Sequence, residues 1–273
     1  MSWRHKFTLP ATRQRIARYL LSAPDLARYT FKSRRVIWPP HPKSILIALN
    51  KSADAVIEEI DNQRFAYPIK CSLFEHDNIS EIEWSVLLLE DRRFLVHAGV
   101  DFPRACLRVV RQLVTFRRVG GISTIEQQLV RTVLDDRRRT ISRKIRESIV
   151  ANAVSYRKRK FTILRTYLSI AYTGYRLTGI DAPSIMLFGK PAAQLQKDQA
   201  DFIASLLVYP IPKKIVIPVH KVWASKAPPF GSTEEIFTLF EKIEPRWVER
   251  MRRRASYAAR LRTYTVKPLY KIY

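Results

Sequence analysis

Apolar residues recur every three or four positions through most of residues 80–212, and this spacing constrains the fold more than any other feature. A clear instance is the series Ile141, Ile145, Ile149 and Ala153. Because an α-helix has about 3.6 residues per turn, residues at this spacing share one face that can pack against a core. The sequence therefore predicts a mainly α fold built from successive helices.

Charge limits the partners of the chain. Its 273 residues are 47% hydrophobic and 27% charged, a globular balance that allows a sizeable core. Lys and Arg number 49 against 24 acidic residues, which gives a net charge of +25. Such an excess favours a nucleic acid, an anionic membrane surface or a diphosphate substrate as partner. Nucleic acid is the least favoured, because the basic clusters are not interleaved with stacking aromatic residues and no DNA-binding motif is present.

Three segments are predicted. Residues 1–43 form a basic lead, 44–215 the main domain with its motifs in 80–212, and 216–273 a basic extension that packs on the domain through a helix. The sequence shows no secretory signal and no run of 18 apolar residues that could span a membrane. Within the lead, residues 11–22 favour a short basic helix that either binds an anionic membrane surface or packs on the domain.

Glu90 is a candidate general base. It follows the apolar run 86–89 and opens a charged segment, so a buried helix is expected to end there at an open surface. A carboxylate that is partly withdrawn from water, with arginines beside it, suits proton abstraction. A solvated salt-bridge cluster at a helix end is the alternative.

A second candidate site begins at Ser123. The spacing of Ser123 and Glu126 predicts a capping box at a helix start, where hydroxyl and carboxylate satisfy free backbone N–H groups. Preceded by glycines and carrying hydroxyls and Gln127, the same helix end could bind an anion. Capping alone explains Ser123 and Thr124 equally well.

Arg143 and Glu147 lie four residues apart, so on a helix they share one face. There the arginine can orient the carboxylate and hold positive charge beside it. Basic runs such as 137–139 and 157–160 are more often solvated helix faces.

Four segments in order carry a recognisable combination of residues. The first holds Glu90, Asp91, Phe94, His97 and Gly99; the second Gly121, Ser123, Thr124, Gln127 and Arg131; the third Arg143, Lys144 and Glu147; the fourth Lys160, Ile163, Leu164, Tyr167 and Leu168. In this order they resemble the motifs of the family 51 peptidoglycan glycosyltransferases, the polymerase domain of penicillin-binding proteins and of monofunctional transglycosylases. The chain departs from the family pattern at Glu126 (usually Thr), Arg131 (usually Lys) and Ser169 (usually Asn).

The resemblance implies a lysozyme-like, two-lobed glycosyltransferase domain that polymerises lipid II into β-1,4 glycan strands and releases undecaprenyl diphosphate. Glu90 would be the general base and Glu147 a second essential carboxylate. The implied substrate-binding residues are Asp91, Phe94 and His97 around Glu90, Ser123, Thr124, Gln127 and Gln128 on the donor side, and Arg131, Arg143 and Lys144 at the diphosphate. No cofactor is certain, and a divalent cation is left open.

The expected partners are lipid II, the growing glycan strand, an anionic membrane surface and other cell-wall synthesis proteins. The resemblance places the chain at the outer, periplasmic face of the inner membrane. Three alternatives stay open at this point: a catalytically weakened lipid II-binding scaffold or regulatory module, a glycan-cleaving enzyme on the same architecture, and a basic nucleic-acid or membrane-surface protein.

Overall fold

The computed structural model describes residues 42–66, 79–107, 123–136, 138, 140–216 and 230–265. The main α-helices in these ranges are α1 (Pro42–Ala66), α2 (Glu81–Glu90), α3 (Ile125–Val133), α4 (Ile141–Arg157), α5 (Lys160–Ile170), α6 (Asp181–Phe188), α7 (Lys197–Ser205), α8 (Thr233–Glu241) and α9 (Pro245–Tyr264). Two short antiparallel strands, β1 (Tyr172–Gly174) and β2 (Leu177–Thr178), follow α5. The predicted mainly α class is confirmed, whereas the predicted helix at 11–22 lies outside the described residues.

The chain divides into two compact units, each built from two stretches of sequence. The first unit comprises Met1–Gln63 and His97–Ile163, and the second comprises Arg64–Val96 and Leu164–Tyr273. The predicted division into a lead, a main domain and an extension stays a prediction.

Helices α3 and α4 pack against each other in the first unit, where α1 contributes a fully buried apolar face. That face consists of Ala53, Val56 and Ile60. Polar contacts join α4 to α1: Arg146 donates to the Ser52 hydroxyl at 2.7 Å, and Arg157 donates to the Asp54 carboxylate at 2.9 Å. The apolar face of α1 thus lies inside while its polar edge is tied to α4.

The buried face of α4 differs from the predicted one. The helix itself is confirmed, but Ile141 is 80% exposed, and the fully buried apolar residues are Val150, Ala151, Ala153 and Val154. Gly99, at φ +79°, lies so close that a Cβ there would be 2.5 Å from the Ala151 carbonyl. The backbone at Gly99 can approach α4 this closely only where α4 presents small side chains, so that face of the helix is the buried one. The spacing of apolar residues in the sequence does not reveal this steric requirement.

The second unit has an aromatic core. Helix α7 packs on α2 and α9, and α8 packs on α9. The Phe202 ring on α7 lies 5.5 Å from that of Phe237 and 6.2 Å from that of Trp247, centroid to centroid. Such tilted and edge-on aromatic pairs bury much apolar area. They hold α7, α8 and α9 together.

Arg262 anchors the end of α9. Its guanidinium donates to the Asp201 carboxylate at 3.0 Å, to the Ser85 hydroxyl at 2.7 Å and to the Glu81 carboxylate at 2.7 Å. One side chain thereby ties α9 to both α7 and α2. Helix α9, which lies within the predicted basic extension, ends at Tyr264. The packing of the extension as a whole stays a prediction.

Candidate functional site

Glu90 is the last residue of α2. Ser80 caps the start of the helix, where its side chain forms a capping box with Glu83, and almost all of the helix is buried up to the C-cap Asp91. Glu90 is 9% exposed and its carboxylate forms an ion pair with Arg254 of α9. A buried helix that ends in a carboxylate is what the sequence predicted at this position.

Three consecutive arginines on α9 point to different partners. Successive helical residues are rotated by about 100°, so neighbours in sequence face different surroundings. Arg252 lies 4.9 Å over the Phe237 ring, Arg253 pairs with Glu249 and is 76% exposed, and Arg254 turns inward to Glu90. Sequence reasoning missed Arg254. Its signal was present, because Arg254 falls in register with the buried Trp247, Met251, Ala258 and Leu261 of the same helix.

The segment after Glu90 belongs to both units, since the boundary between them falls after Val96. In the second unit, Asp91 and Phe94 are buried and the Phe94 N–H donates to the Asp91 carbonyl at 3.0 Å. In the first unit, the His97 Nδ1 lies 4.0 Å from the Glu126 carboxylate. The Gly99 carbonyl accepts a 2.6 Å hydrogen bond from the Thr124 hydroxyl.

The cap of α3 corrects the predicted capping box by one residue. The N-cap is Thr124, not Ser123, and the reciprocal partner is Gln127, not Glu126. The Gln127 N–H donates to the Thr124 hydroxyl at 3.3 Å, and the Thr124 N–H donates to the Gln127 side chain at 3.1 Å. The sequence allows both caps, because Ser123 and Thr124 each carry a hydroxyl and each is followed three residues later by a side chain with an acceptor oxygen, Glu126 or Gln127. The hydrogen bond from Thr124 to the Gly99 carbonyl, which forms only in the folded chain, selects Thr124.

The shift of register gives Ser123 and Glu126 other partners. Ser123 accepts hydrogen bonds from Arg131 at 3.1 Å and from Lys144 at 2.9 Å. Glu126 is fully buried and forms an ion pair with Lys160, the first residue of α5. Gln128 is half-buried on α3.

Three cations converge on Glu147. Arg131 donates twice to its carboxylate, at 3.2 and 3.0 Å, Lys144 donates at 2.6 Å, and Arg143 forms a further ion pair one turn away on α4. The Lys144 ammonium also donates to the Gln127 side-chain oxygen at 3.0 Å. One carboxylate among three cations leaves a net positive charge at the N-terminal end of α3. We call Ser123, Gln127, Arg131, Arg143, Lys144 and Glu147 the cationic cluster.

Burial and neighbouring charges have opposite effects on the pKa values of Glu147 and Lys144 in the cationic cluster. Burial alone would raise the pKa of the Glu147 carboxyl, but hydrogen bonds from Arg131 and the charge of Lys144 outweigh it and hold the pKa below its ordinary value. Burial also lowers the pKa of the Lys144 ammonium, which the Glu147 carboxylate only partly offsets. Glu147 is therefore a fixed anion that organises cations.

The family of the chain follows from a match to a family model. Residues 58–222 match the model of the family described as transglycosylase. The chain belongs to the transglycosylase family. The recognition made from the four sequence motifs is confirmed, as is the mainly α, lysozyme-like class expected for a transglycosylase domain.

Relatives of this transglycosylase chain fall into two groups. A biosynthetic peptidoglycan transglycosylase of Alcanivorax borkumensis is 33% identical over 137 residues, which are 50% of this chain and 56% of the relative. Penicillin-binding protein 2a of Streptococcus pneumoniae is 34% identical over 134 residues, and penicillin-binding protein 1A of Aquifex aeolicus is 37% identical over 120 residues. These matches cover 49% and 43% of this chain but only 18% and 16% of those longer proteins.

The transglycosylase match is partial in length. The chain spans 56% of the Alcanivorax relative and 64% of a biosynthetic peptidoglycan transglycosylase of Nitrosomonas eutropha. No helix in the described ranges is long and apolar enough to cross a membrane.

Proposed function

We propose that the chain is a peptidoglycan glycosyltransferase that polymerises lipid II into β-1,4 glycan strands. The observation that carries the proposal is the cationic cluster, in a chain that belongs to the transglycosylase family. A lipid-diphosphate donor needs a site that accepts the negative charge of its leaving group. Cations fixed around a buried carboxylate, beside a helix N-terminus, supply such a site.

Each step of the reaction has a group suited to it. The hydroxyl of the acceptor sugar attacks the anomeric carbon of the donor, and Glu90 takes the hydroxyl proton as the new C–O bond forms. The bond from the anomeric carbon to the diphosphate breaks with inversion, and undecaprenyl diphosphate leaves with the bonding electron pair. Arg131, Arg143 and Lys144 stabilise the charge that develops on the diphosphate.

The other predicted site residues have supporting roles. Glu147 positions the three cations, and Ser123, Thr124, Gln127 and Gln128 line the donor side. Asp91 and Phe94 shape the surroundings of Glu90, and His97 belongs to the same sequence motif. Since lipid II is a membrane lipid, the chain works at an anionic membrane surface, which suits its net charge of +25. We propose the outer face of the inner membrane as the site of action and cell-wall synthesis proteins as partners.

Polymerisation of labelled lipid II tests the proposal. We expect the purified protein, with lipid II in detergent or vesicles, to convert it into glycan chains that a length-resolving gel separates. Binding of lipid II without polymer would instead identify a scaffold or regulatory module. Release of soluble muropeptides from purified sacculi would identify a glycan-cleaving enzyme. Either result contradicts the proposed polymerase activity.

Lys144→Met probes the cationic cluster. Removal of one fixed charge at a leaving group costs about 10²–10³-fold in rate, so we expect a loss of about 10²-fold in kcat/KM for lipid II. Lys158→Met is the matched control, since Lys158 lies at the other end of α4 and pairs with a half-exposed Asp61. Steady-state polymerisation rates measure both. Equal rates for the two variants would remove Lys144 from the diphosphate site.

A further inference from the structure

Helix α9 carries a stripe of arginine and tyrosine residues on its exposed side. Successive residues of an α-helix are rotated by about 100°, so positions spaced four and three apart follow one line along the helix surface. Six exposed residues of α9 keep this spacing within an arc of about 80°. They are Arg246, Arg250, Arg253, Tyr257, Arg260 and Tyr264, and we call them the α9 stripe. With a rise of about 1.5 Å per residue, the α9 stripe is about 27 Å long.

Few of the arginines in the α9 stripe are neutralised within the described ranges. The ion pairs described for α9 engage Arg252, Arg253, Arg254 and Arg262. Of these, Arg253 alone belongs to the stripe, and its partner is the exposed Glu249. Arg246 and Arg250 bring like charges within one turn, which destabilises a helix that has only water beside it. Positive charges placed this close suit a polyanionic partner.

Arginine is the only basic residue type of α9. The 20 residues of the helix contain seven arginines and no lysine. A guanidinium is planar and can bind a phosphate group through two parallel N–H donors, whereas a lysine ammonium acts as a point charge. The composition of the helix therefore favours a partner whose negative charges are phosphate groups.

The two tyrosines favour a phospholipid surface among phosphate-rich partners. Tyr264 is 85% exposed and Tyr257 is 38% exposed. A tyrosine has an apolar ring and a polar hydroxyl, which suits the headgroup region of a bilayer. A single straight stripe also matches a flat surface, whereas a helix in the major groove of DNA, about 12 Å wide, meets phosphates on both of its sides.

Tyr257 connects the α9 stripe to the end of α2. The Arg92 guanidinium donates to the Tyr257 hydroxyl at 3.3 Å, and the Arg260 guanidinium lies 6.0 Å from the centre of the Tyr257 ring. Arg92 is exposed and follows Glu90, the last residue of α2, by two positions. All of these residues belong to the second unit. The surface formed by the stripe therefore adjoins the helix end that carries Glu90.

We propose that the α9 stripe binds the anionic phospholipid headgroups of a bilayer. This inference rests on the proposed function, because polymerisation of lipid II requires the chain to work at a membrane. The four arginines of the stripe bind lipid phosphates, and Tyr257 and Tyr264 lie among the headgroups. A bilayer held there lies beside the end of α2, where the proposed reaction needs its lipid-linked substrate.

A triple variant tests the inference by vesicle binding. It combines Arg246→Gln, Arg250→Gln and Arg260→Gln, all at exposed positions, so the fold should be kept. Each cation near an anionic bilayer strengthens binding by about 5-fold, so we expect the full-length variant to bind phosphatidylglycerol vesicles about 10²-fold more weakly than wild type. Cosedimentation with the vesicles measures both proteins, and thermal melting shows that they are folded. Added salt should weaken the binding of wild type.

Two further variants show whether position or total charge matters. Lys51→Gln, Arg159→Gln and Lys197→Gln together remove the same charge from exposed positions outside α9. This matched control should bind the vesicles within about 5-fold of wild type. The triple change of Arg246, Arg250 and Arg260 to lysine keeps the charge of the stripe without the planar donors. Its affinity should lie between those of wild type and the glutamine variant.

Three results would overturn the inference. The glutamine variant could bind phosphatidylglycerol vesicles as wild type does. The glutamine variant and its matched control could lose affinity by the same factor, which would make total charge the cause. Alternatively, wild type could bind short duplex DNA more tightly than the vesicles and the glutamine variant could lose that binding, which would identify the stripe as a nucleic-acid site.

Polymerisation in micelles separates this inference from the proposed function. With lipid II in neutral detergent micelles, the glutamine variant should polymerise at the wild-type rate, whereas in phosphatidylglycerol vesicles it should be slower than wild type. If wild type makes no polymer in either setting but the glutamine variant loses vesicle binding, the proposed function fails and the α9 stripe still binds lipid. If wild type makes polymer and the glutamine variant keeps full vesicle binding, only the role of the α9 stripe fails.

Discussion

Replacing Glu90 by glutamine is expected to lower the rate of lipid II polymerisation by about 10²–10⁴-fold, the range that a positioned general base contributes. Glutamine has nearly the same shape and can still accept a hydrogen bond from Arg254 through its side-chain oxygen. It cannot take a proton from a sugar hydroxyl. The substitution therefore removes the chemistry while it keeps most of the packing at the end of α2.

Binding and folding must stay intact for this result to be informative. Glu90→Gln leaves the Arg254 guanidinium without a charged partner, and a small fall in the melting temperature is expected for that reason. Lipid II affinity should remain within a few-fold of wild type, because the cationic cluster is unchanged. Glu249→Gln is the matched control, since Glu249 is an exposed acid on α9 that pairs with Arg253. A folded Glu90→Gln with more than about one-third of the wild-type rate would exclude Glu90 as the base.

The order of motifs made the family and the main helices predictable from sequence. Glu90 at the end of a buried helix and the shared face of Arg143 and Glu147 depend on local spacing, and the structure has both. Local spacing fails where two registers are equally good. Ser123 and Thr124 offer the same hydroxyl to a helix start, and only the distant Gly99 carbonyl distinguishes them.

Contacts between residues far apart in sequence were beyond local patterns. Glu90 and Arg254 are 164 residues apart, and Arg254 lies in a run of arginines that local reasoning treats as a solvated face. Glu126 and Lys160 are 34 residues apart and meet only because Lys160, at the start of α5, belongs to the same packed unit as α3. In both cases tertiary packing decides which of several like-charged residues turns towards a buried carboxylate.

The departure from the family pattern at Glu126 has a physical consequence. Glu126 is fully buried, and its Oε2 has no hydrogen-bond partner among the described residues, while Oε1 pairs with Lys160. Burial raises the pKa of the Glu126 carboxyl above its ordinary 4.5, and the charge and hydrogen bond of Lys160 counteract only part of that effect. Burying the Glu126 carboxylate costs stability, and the ion pair with Lys160 offsets this cost only while both residues are present.

Lys160→Met should therefore destabilise the protein by about 3–5 kcal/mol near neutral pH, the usual penalty for removing one partner of a buried ion pair. Lys160 is 20% exposed, and its stem leads to a carboxylate with no exposure at all. Methionine replaces the stem but leaves the Glu126 charge buried without its cation. Urea unfolding near pH 7 measures the loss. Lys158→Met, two residues away, removes an ion pair to a half-exposed Asp61 and should cost under about 1 kcal/mol.

The pH dependence of the loss identifies its cause. A carboxyl whose pKa is raised by folding stabilises the folded state most below its unfolded value of 4.5, and that contribution is lost as pH rises through the folded value. Lys160→Met raises the folded pKa further, so its deficit should be largest near pH 7 and shrink towards about pH 5. The double variant Lys160→Met with Glu126→Gln should be more stable than Lys160→Met alone, because no buried charge remains. Two results together would show that the loss of stability comes from the packing of the lysine stem and not from the charge of Glu126. The loss would be the same at every pH, and the double variant would lose the sum of what the two single variants lose.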